Sequence, residues 1–211
     1  MLRILLFCSA LAISGCSAIG ALDEASRPLA AYDLQAESAG PVARGNAAAS
    51  ELVVESPVAG GALDTDRILI RPDPLEARYL PGARWTDPAP AMVRTLMVRR
   101  LEETGGFRYV GRRPLGSAGD YALLSELTDL QAEVFDETGI VTARIRLNAK
   151  LVREEDARVL ASRVFEATTQ TGSTDTMEVV SALDRAMTVV LNDMSRWIMQ
   201  RLGVPIAAEP A

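Results

Sequence analysis

The stretch VTARIRLNAKL, residues 141–151, decides the fold of this chain. Every second residue is apolar, and threonine, arginine, asparagine or lysine occupies each position between. Successive side chains of a β-strand point to opposite faces, so this alternation is typical of a strand with one buried face and one polar face. The stretch therefore predicts a half-buried strand in a sheet that is covered on one side.

The residues on either side of this stretch extend the pattern. Tyr121 to Asp136 reads as a strand with one break in its alternation, which indicates a bulge. Glu137-Thr138-Gly139 suits a hairpin connection, and Glu154-Glu155-Asp156 makes a second turn before a third strand from Val159 to Thr171. Three long strands joined by tight polar turns predict an antiparallel meander.

A long helix is predicted from about Asp175 to Leu202. Asp175 and Glu178 stand at capping-box spacing, and Gly203 and Pro205 end the helix. Its apolar residues recur with the helical period, which predicts the main core helix rather than a partner-binding face. These residues are Val179, Val180, Leu183, Ala186, Met187, Val190, Leu191, Met194, Trp197 and Ile198.

An earlier helix begins near Pro90, has apolar residues at 92, 93, 96, 97 and 101, and ends at Thr104-Gly105-Gly106. Around it, short strands are predicted at Ala31–Gln35, Glu51–Glu55, Asp66–Arg71 and Phe107–Val110. Proline-rich residues 72–90 read as an ordered loop with a short strand around Tyr79, and residues 36–50 as a flexible linker or loop. The order predicts an α/β fold, more closely an α+β sandwich: a mostly antiparallel mixed sheet with a long three-strand meander, covered by two main helices.

The N-terminus reads MLRILLFCSALAISGC. Arg3 precedes an apolar run, Ile4 to Ile13, that is too short to span a bilayer, and small residues follow, which is typical of a signal peptide. An ordinary secretory signal with a chance cysteine is the alternative, but it leaves an unpaired thiol in an exported protein. The ending Ile-Ser-Gly-Cys resembles the lipobox of bacterial lipoproteins.

That resemblance implies that Cys16 carries the lipid, including palmitate-type acyl chains, and becomes the first mature residue. The chain then divides into a signal peptide (1–15), a lipidated tether (16–30), a single domain (31–203) and a disordered tail (204–211). The next residue, Ser17, is not aspartate, and this favours the outer membrane over retention at the inner membrane.

The composition excludes several classes of site. The chain has 211 residues, no histidine and two cysteines, of which Cys8 lies in the signal and Cys16 is the lipid site. Catalytic triads with histidine and His/Cys zinc sites are therefore excluded, and no pattern singles out a carboxylate pair. We predict neither an enzyme nor a cofactor or metal. The formal net charge of −6 argues against nucleic acid as a partner.

Five residues are candidates for partner binding. Tyr79 and Trp85 lie in the proline-rich region, where they are either core aromatics or exposed anchors, since tyrosine and tryptophan dominate interface hot spots. Arg94, Arg99 and Arg100 belong to a locally basic stretch, which is either a solvated helix face or a contact for an anionic partner or lipid headgroups.

The polar face of the 141–151 strand carries three cations, Arg144, Arg146 and Lys150. Acidic neighbours such as Glu126 and Glu133 would cover this face if the strand pairs as predicted. Contact with a partner is the alternative.

Several short motifs follow one another in a fixed order: Tyr32-Asp33-Leu34, Arg67-Ile68, Tyr79, Arg84-Trp85, a helix opening near Pro88, the Tyr121 strand, Ala161-Ser162-Arg163-Val164-Phe165, and a terminal helix with Trp197. Behind a lipobox, this set resembles the ABC-type transport auxiliary lipoproteins, the PqiC-like family, over residues 32 to 200. The Ala-rich stretch 36–49 departs from the family pattern.

The resemblance implies a non-catalytic accessory subunit of an MCE-type or ABC lipid transport system, anchored at the periplasmic face of the outer membrane. An MCE-domain protein is the implied partner, and a homo-oligomeric ring would suit a symmetric conduit. Two alternatives stay open. One is a structural lipoprotein of cell-wall or outer-membrane protein assembly, and the other is a lipid carrier with its own cavity.

Overall fold

The computed structural model describes residues 28–37, 39–45, 48–134 and 139–208. Contacts divide the chain into Met1–Ala30 and Ala31–Ala211, and the second unit contains the fold. The described elements are nine strands and two helices: β1 (Ala30–Tyr32), β2 (Ala48–Val54), β3 (Val58–Ala59), β4 (Arg67–Asp73), β5 (Glu76–Trp85), α1 (Ala89–Glu103), β6 (Phe107–Gly111), β7 (Tyr121–Glu133), β8 (Val141–Arg153), β9 (Arg158–Thr171) and α2 (Thr176–Arg201).

The meander predicted from the 141–151 alternation is confirmed. β8 pairs antiparallel with β7 along one edge and with β9 along the other, each over its whole length. The predicted break in the first strand is a register shift between Leu127 and Asp129. β7 ends at Glu133, and residues 135–138 of the predicted strand end and hairpin lie outside the described residues.

The second edge of β7 joins the meander to the rest of the sheet. Three strands pair with it in parallel, one after another: β2 near Tyr121, β3 near Glu126 and β4 near Gln131. β6 continues the sheet beyond β2, while β5 and then β1 continue it beyond β4. The sheet is therefore mixed, as predicted, with antiparallel pairing in the meander and in the β4–β5 hairpin.

Helix α2 covers one face of the meander. All ten apolar residues predicted for its stripe are buried. The helix begins after Asp175, whose Oδ1 accepts a hydrogen bond from the backbone N–H of Met177 at 2.9 Å, and this satisfies one free N–H of the first turn. Trp197 packs edge-on against Phe165 of β9, with ring centroids 5.5 Å apart. The opposite face of the meander, which carries the polar residues of β8, is called the open face below.

The segment 36–50, predicted as a flexible linker or loop, is held to the fold at several of its described residues. Ala36 is buried, and the backbone N–H of Ala43 donates to the carbonyl of Thr104 at 2.7 Å. The last residues of the segment, from Ala48, begin β2. Alanine and serine are poor strand formers, so composition alone points to a loop, whereas pairing with β6 decides the strand.

The proline-rich region 72–90 is a hairpin arm rather than a loop with a short strand. β4 includes Pro72, and β5 runs for ten residues through Pro81. Proline lacks a backbone N–H, but irregular pairing tolerates it, and the β4–β5 register shifts both between Arg67 and Leu69 and between Ile70 and Asp73.

The tail is also more ordered than predicted. Val204 is buried, and Ile206 forms an isolated bridge with Ala43. The backbone N–H of Arg44 donates to Pro205 at 2.8 Å, and that of Ala207 donates to Val42 at 2.9 Å. The expectation of disorder from residue 204 is wrong for 204–207, because Val204 is buried and residues 205–207 pair with the segment that was expected to be a linker.

Candidate anchoring and docking residues

The lipid-attachment site Cys16 lies outside the described residues, so its acylation stays a prediction. The first described element after it is β1, where the backbone carbonyl of Tyr32 accepts a hydrogen bond from the N–H of Thr86 at 2.9 Å. The next fixed point is the turn at Gln35 and Ala36. These two contacts hold the first residues of the folded domain, which follow the predicted tether.

Charged side chains from both helices hold the turn at Gln35 and Ala36. The carboxylate Oδ1 of Asp184, on α2, accepts hydrogen bonds from the backbone N–H groups of Gln35 and Ala36 at 2.7 and 2.8 Å. On α1, Arg99 donates to the carbonyl of Gln35, and Arg100 donates to the carbonyl of Ala36. We call these three side chains and the two backbone residues they bind the N-terminal clamp.

The clamp holds a backbone conformation that alanine rarely adopts. Ala36 has a φ of 50°, in the left-handed region, where the Cβ of an L-residue crowds the following carbonyl. Arg100 is almost fully buried, and its guanidinium also forms an ion pair with Glu103 at 3.2 Å. The interactions with two backbone N–H groups and two carbonyls compensate for the strain at Ala36.

Asp184→Ala is expected to lower the free energy of unfolding by about 1–3 kcal/mol, because two backbone N–H groups lose a charged acceptor. Urea unfolding measures this loss, and hydrogen exchange should speed up at the amides of Gln35 and Ala36. Asp193→Ala is the matched control, since Asp193 is an exposed aspartate of the same helix. Equal effects of the two substitutions would contradict the role given to Asp184.

Arg94 has a different role from Arg99 and Arg100. Its Nε donates to the carbonyl of Val54 at the end of β2, and its NH2 group donates to the carbonyl of Arg112 at 2.6 Å. The side chain therefore joins α1 to β2 and to the loop after β6. Arg99 and Arg100 lie together at the N-terminal clamp, whereas Arg94 binds other backbone carbonyls. The three arginines therefore do not form one binding site for an anionic partner.

The two aromatic candidates, Trp85 and Tyr79, differ in their exposure to solvent. Trp85 is 1% exposed and lies in the core, so its interpretation as an exposed partner anchor is wrong. The proline content around it suggested a surface loop, but the residue ends a paired strand and faces inward. Tyr79 is 37% exposed; the guanidinium of Arg67 lies 5.4 Å from its ring centroid, and its hydroxyl donates weakly to Ala62 at 3.4 Å.

Sequence reasoning missed Asp184. It lies on the polar side of an amphipathic helix, where an aspartate ordinarily faces solvent, and its partners lie 148 and 149 residues earlier in the chain. No local pattern could have revealed this pairing.

The open face of the sheet carries a charged network. Arg144 donates to Glu133 at 2.8 Å and to Glu166, and Arg146 forms an ion pair with Glu166 at 3.4 Å. Glu126 accepts a hydrogen bond from Asn148 instead. Acidic cover is therefore confirmed for Arg144 and Arg146, although Glu166 on β9 supplies part of it. Lys150 is exposed and forms no ion pair with the described residues.

Glu133 is the best-buried acid of this network. Burial alone raises the pKa of its carboxyl. Hydrogen bonds from Arg144 and Gln131 lower that pKa, and so do the positive charges of Arg144 and Arg71. Together they outweigh burial and hold the pKa below its ordinary value. Arg144 is affected in the opposite direction, since its pKa is raised by the same bond to Glu133. The carboxylate form of Glu133 is thus stabilised by folding.

Glu133→Gln is expected to lower the free energy of unfolding at pH 7 by about 1.5–3 kcal/mol, the range for hydrogen bonds to charged groups. A depressed pKa contributes stability above the unfolded-state value, near 4.3, and that contribution is lost as the pH falls through the lower folded-state pKa. The difference between wild type and variant should therefore shrink below about pH 4. Urea unfolding at pH 7, 5 and 3 measures it, and a pH-independent difference would contradict this account.

The described residues also bear on metal binding and on membrane spanning. In the part of the chain that the structure describes, no three or more acidic, histidine or cysteine side chains converge as metal ligands would. Neither described helix has the length and apolarity that a membrane span requires.

Comparisons with known proteins agree with this architecture. The family model described as "ABC-type transport auxiliary lipoprotein component" matches residues 32–195. The crystal structure of protein XCC0632 from Xanthomonas campestris is 30% identical, covers 82% of this chain and 97% of its own, and superposes with a TM-score of 0.73. A second solved structure, of an uncharacterized protein, is 17% identical over 82% of this chain and 99% of its own, with a TM-score of 0.62, and shows the fold alone.

One curated relative is longer. The uncharacterized protein bll6063 of Bradyrhizobium diazoefficiens is 26% identical over 174 residues, which are 79% of this chain and 44% of that protein. The chain therefore spans less than half the length of that relative. The family model, by contrast, covers most of the chain and begins at Tyr32, within β1. The chain belongs to the family of ABC-type transport auxiliary lipoprotein components.

Proposed function

We propose that this protein is the non-catalytic, lipid-anchored accessory subunit of an MCE-type lipid transport system, held at the periplasmic face of the outer membrane. Acyl chains on Cys16 hold it in the membrane, and the folded domain docks the end of a transport conduit formed by an MCE-domain partner. Family membership over residues 32–195 is the observation that carries the proposal. The proposal adds three statements that are more specific than family membership: the partner is an MCE-domain protein, the membrane is the outer membrane, and the domain assembles into a ring.

The N-terminal clamp supports a role as an anchored docking domain. A chain of fourteen peptide units from Cys16 to Ala30 spans at most roughly 50 Å, at about 3.6 Å each. The domain therefore stays close to its membrane, and the clamp fixes the point at which the tether enters the fold. A docking subunit needs this defined placement at its membrane.

The charged depression beside the start of β7 does not favour lipid carriage. A depression of about 550 Å³ is lined partly by Asp120, Tyr121, Arg153 and Glu155. Acyl chains are apolar and bind in mostly apolar pockets, so the charged residues at the rim of this depression do not suit them. The fold does not distinguish the transport role from the alternative role in envelope assembly, because one fold can serve both. The identity of the partner distinguishes them.

The proposal is tested by tagging the C-terminus in the native organism, solubilising the membranes in detergent and identifying the co-purifying proteins by mass spectrometry. An MCE-domain protein that survives stringent washing is the expected result. A tagged, unrelated lipoprotein from the same membrane is the control. Recovery of cell-wall or barrel-assembly proteins without any MCE protein would overturn the transport role. Density-gradient fractionation of the same cells tests the outer-membrane assignment.

A further inference from the structure

Strand β9 has a free edge. It runs for fourteen residues and, within the described part of the chain, pairs with β8 alone. Every second residue of such a strand directs its backbone N–H and carbonyl away from the sheet, where they can pair with another strand. Over about 45 Å, at roughly 3.3 Å per residue, β9 therefore offers an incoming chain a template of unpaired backbone groups.

The two faces of this edge differ in chemistry. The register pairs Val159 with Val152 and Val164 with Asn148, which places both valines on the open face, where they are 52% and 47% exposed. It pairs Arg158 with Arg153 and Arg163 with Ala149, which places both arginines on the face covered by α2. Along one edge, exposed valines thus alternate with exposed arginines.

The charge of the edge is also one-sided. No ion pair within the described residues involves Arg158 or Arg163, and the guanidinium of Arg163 lies 5.1 Å from the ring centroid of Phe165. Glu166, the acid of this strand, is neutralised by Arg144 and Arg146. A strand that pairs with this edge therefore meets the guanidinium groups of Arg158 and Arg163 on the helix side.

Apolar surface continues inward from the valines. Val159 lies beside Val152, which helps to line a depression of about 390 Å³ on the open face together with Ala122, Leu124 and Pro114. Leu124 and Leu160 are also exposed. Apolar side chains of an added strand would be buried against this surface.

We propose that the free edge of β9 is a docking site for an extended strand of a partner protein, with apolar side chains over Val159 and Val164 and acidic side chains beside Arg158 and Arg163. This inference rests on the proposed docking function and names the surface and the chemistry of the partner segment. Main-chain hydrogen bonds supply the binding, and alternate side chains supply the specificity. Charged residues and bulges on an edge strand can instead protect the edge against aggregation. The experiment below distinguishes this protective role from partner docking.

The probes are two ten-residue synthetic peptides in which valine alternates with glutamate or with lysine. The full chain, purified from membranes in uncharged detergent, is titrated with each, and binding is followed by fluorescence anisotropy. The glutamate peptide is expected to bind and the lysine peptide to bind at least about tenfold more weakly. Hydrogen exchange should show new protection in residues 158–171 and none in α1.

Charge reversal provides the matched test. The double substitution Arg158→Glu with Arg163→Glu should weaken binding of the glutamate peptide about tenfold, because two attractive cross-strand charge pairs become repulsive. It should strengthen binding of the lysine peptide. The control is Arg44→Glu with Arg78→Glu, two exposed arginines, of which Arg78 lies on β5 at the other side of the sheet; it changes the net charge equally. If a variant misfolds, the exchange measurement on the unmodified chain still decides the question.

Four results would overturn the proposal: binding of neither peptide, equal binding of both, protection elsewhere than β9, or protection of β9 that rises with protein concentration in the absence of peptide. The last would assign the edge to a second copy of the chain. None of them touches the proposed transport role, since the identity of the co-purifying partner tests that role separately.

Discussion

Trp85→Ala is expected to lower the free energy of unfolding by about 3–5 kcal/mol, the range for removal of a large buried aromatic side chain. Trp85 ends β5 with its side chain 1% exposed, in the core that also contains Met92, Leu96 and Ile68. Removing the indole leaves a cavity that the surrounding strands cannot fill without moving. Because single domains are stable by only about 5–15 kcal/mol, the variant should unfold in much less urea.

The control for this prediction lies in the same hairpin. Leu75, at the turn between β4 and β5, is 96% exposed, so Leu75→Ala should change the stability by no more than about 0.5 kcal/mol. Trp85→Phe keeps a ring in the core and should cost less than alanine. Equal stability of Trp85→Ala and Leu75→Ala, combined with loss of partner recovery only in the former, would restore the interpretation of Trp85 as a surface anchor.

Cys16→Ser is expected to abolish acylation completely, since the thioether to the diacylglyceryl group requires the thiol. Cells grown with an alkyne-bearing fatty acid should label the wild-type protein and leave the variant unlabelled. Several acyl chains hold a protein far more firmly than one, which alone gives only marginal binding. The variant should therefore also lose specific attachment to the membrane.

Cys8→Ser is the matched control, because Cys8 lies in the same predicted signal peptide but within its apolar run. It should keep full labelling. Labelling of Cys16→Ser at the wild-type level would show that the lipid is attached elsewhere, or that the terminus is an ordinary secretory signal. Mass spectrometry of the N-terminal peptide from the wild-type protein would then identify the true first residue.

The meander and the two helices were predictable from sequence because a single period runs through each. β8 alternates without a break, and α2 repeats its apolar residues every three or four positions, so local pattern and final burial agree. The hairpin of β4 and β5 was harder, since its prolines locally favour a loop and only pairing overrides them. The start of β2 shows the same effect, with alanines that become a strand because β6 lies beside them.

The candidate site was less predictable than the fold. Arg99 and Arg100 were singled out as part of a basic stretch, but their acceptors are the carbonyl of Gln35, at the end of a predicted strand, and that of Ala36, at the start of the predicted linker. Asp184 gave no signal at all. Contacts that join residues about 150 positions apart leave no mark on local periodicity, and the same holds for the pairing of residues 204–207 with residues 42–44.

The N-terminal clamp has a mechanical consequence. Tension on the chain from its N-terminal side reaches β1 first, a three-residue strand that can be peeled away with few broken bonds. It then reaches Gln35 and Ala36, where Asp184 and the two arginines transmit the load directly into α1 and α2. On a tether of the proposed kind, force would therefore enter the fold through the two helices before it reached the paired strands of the meander.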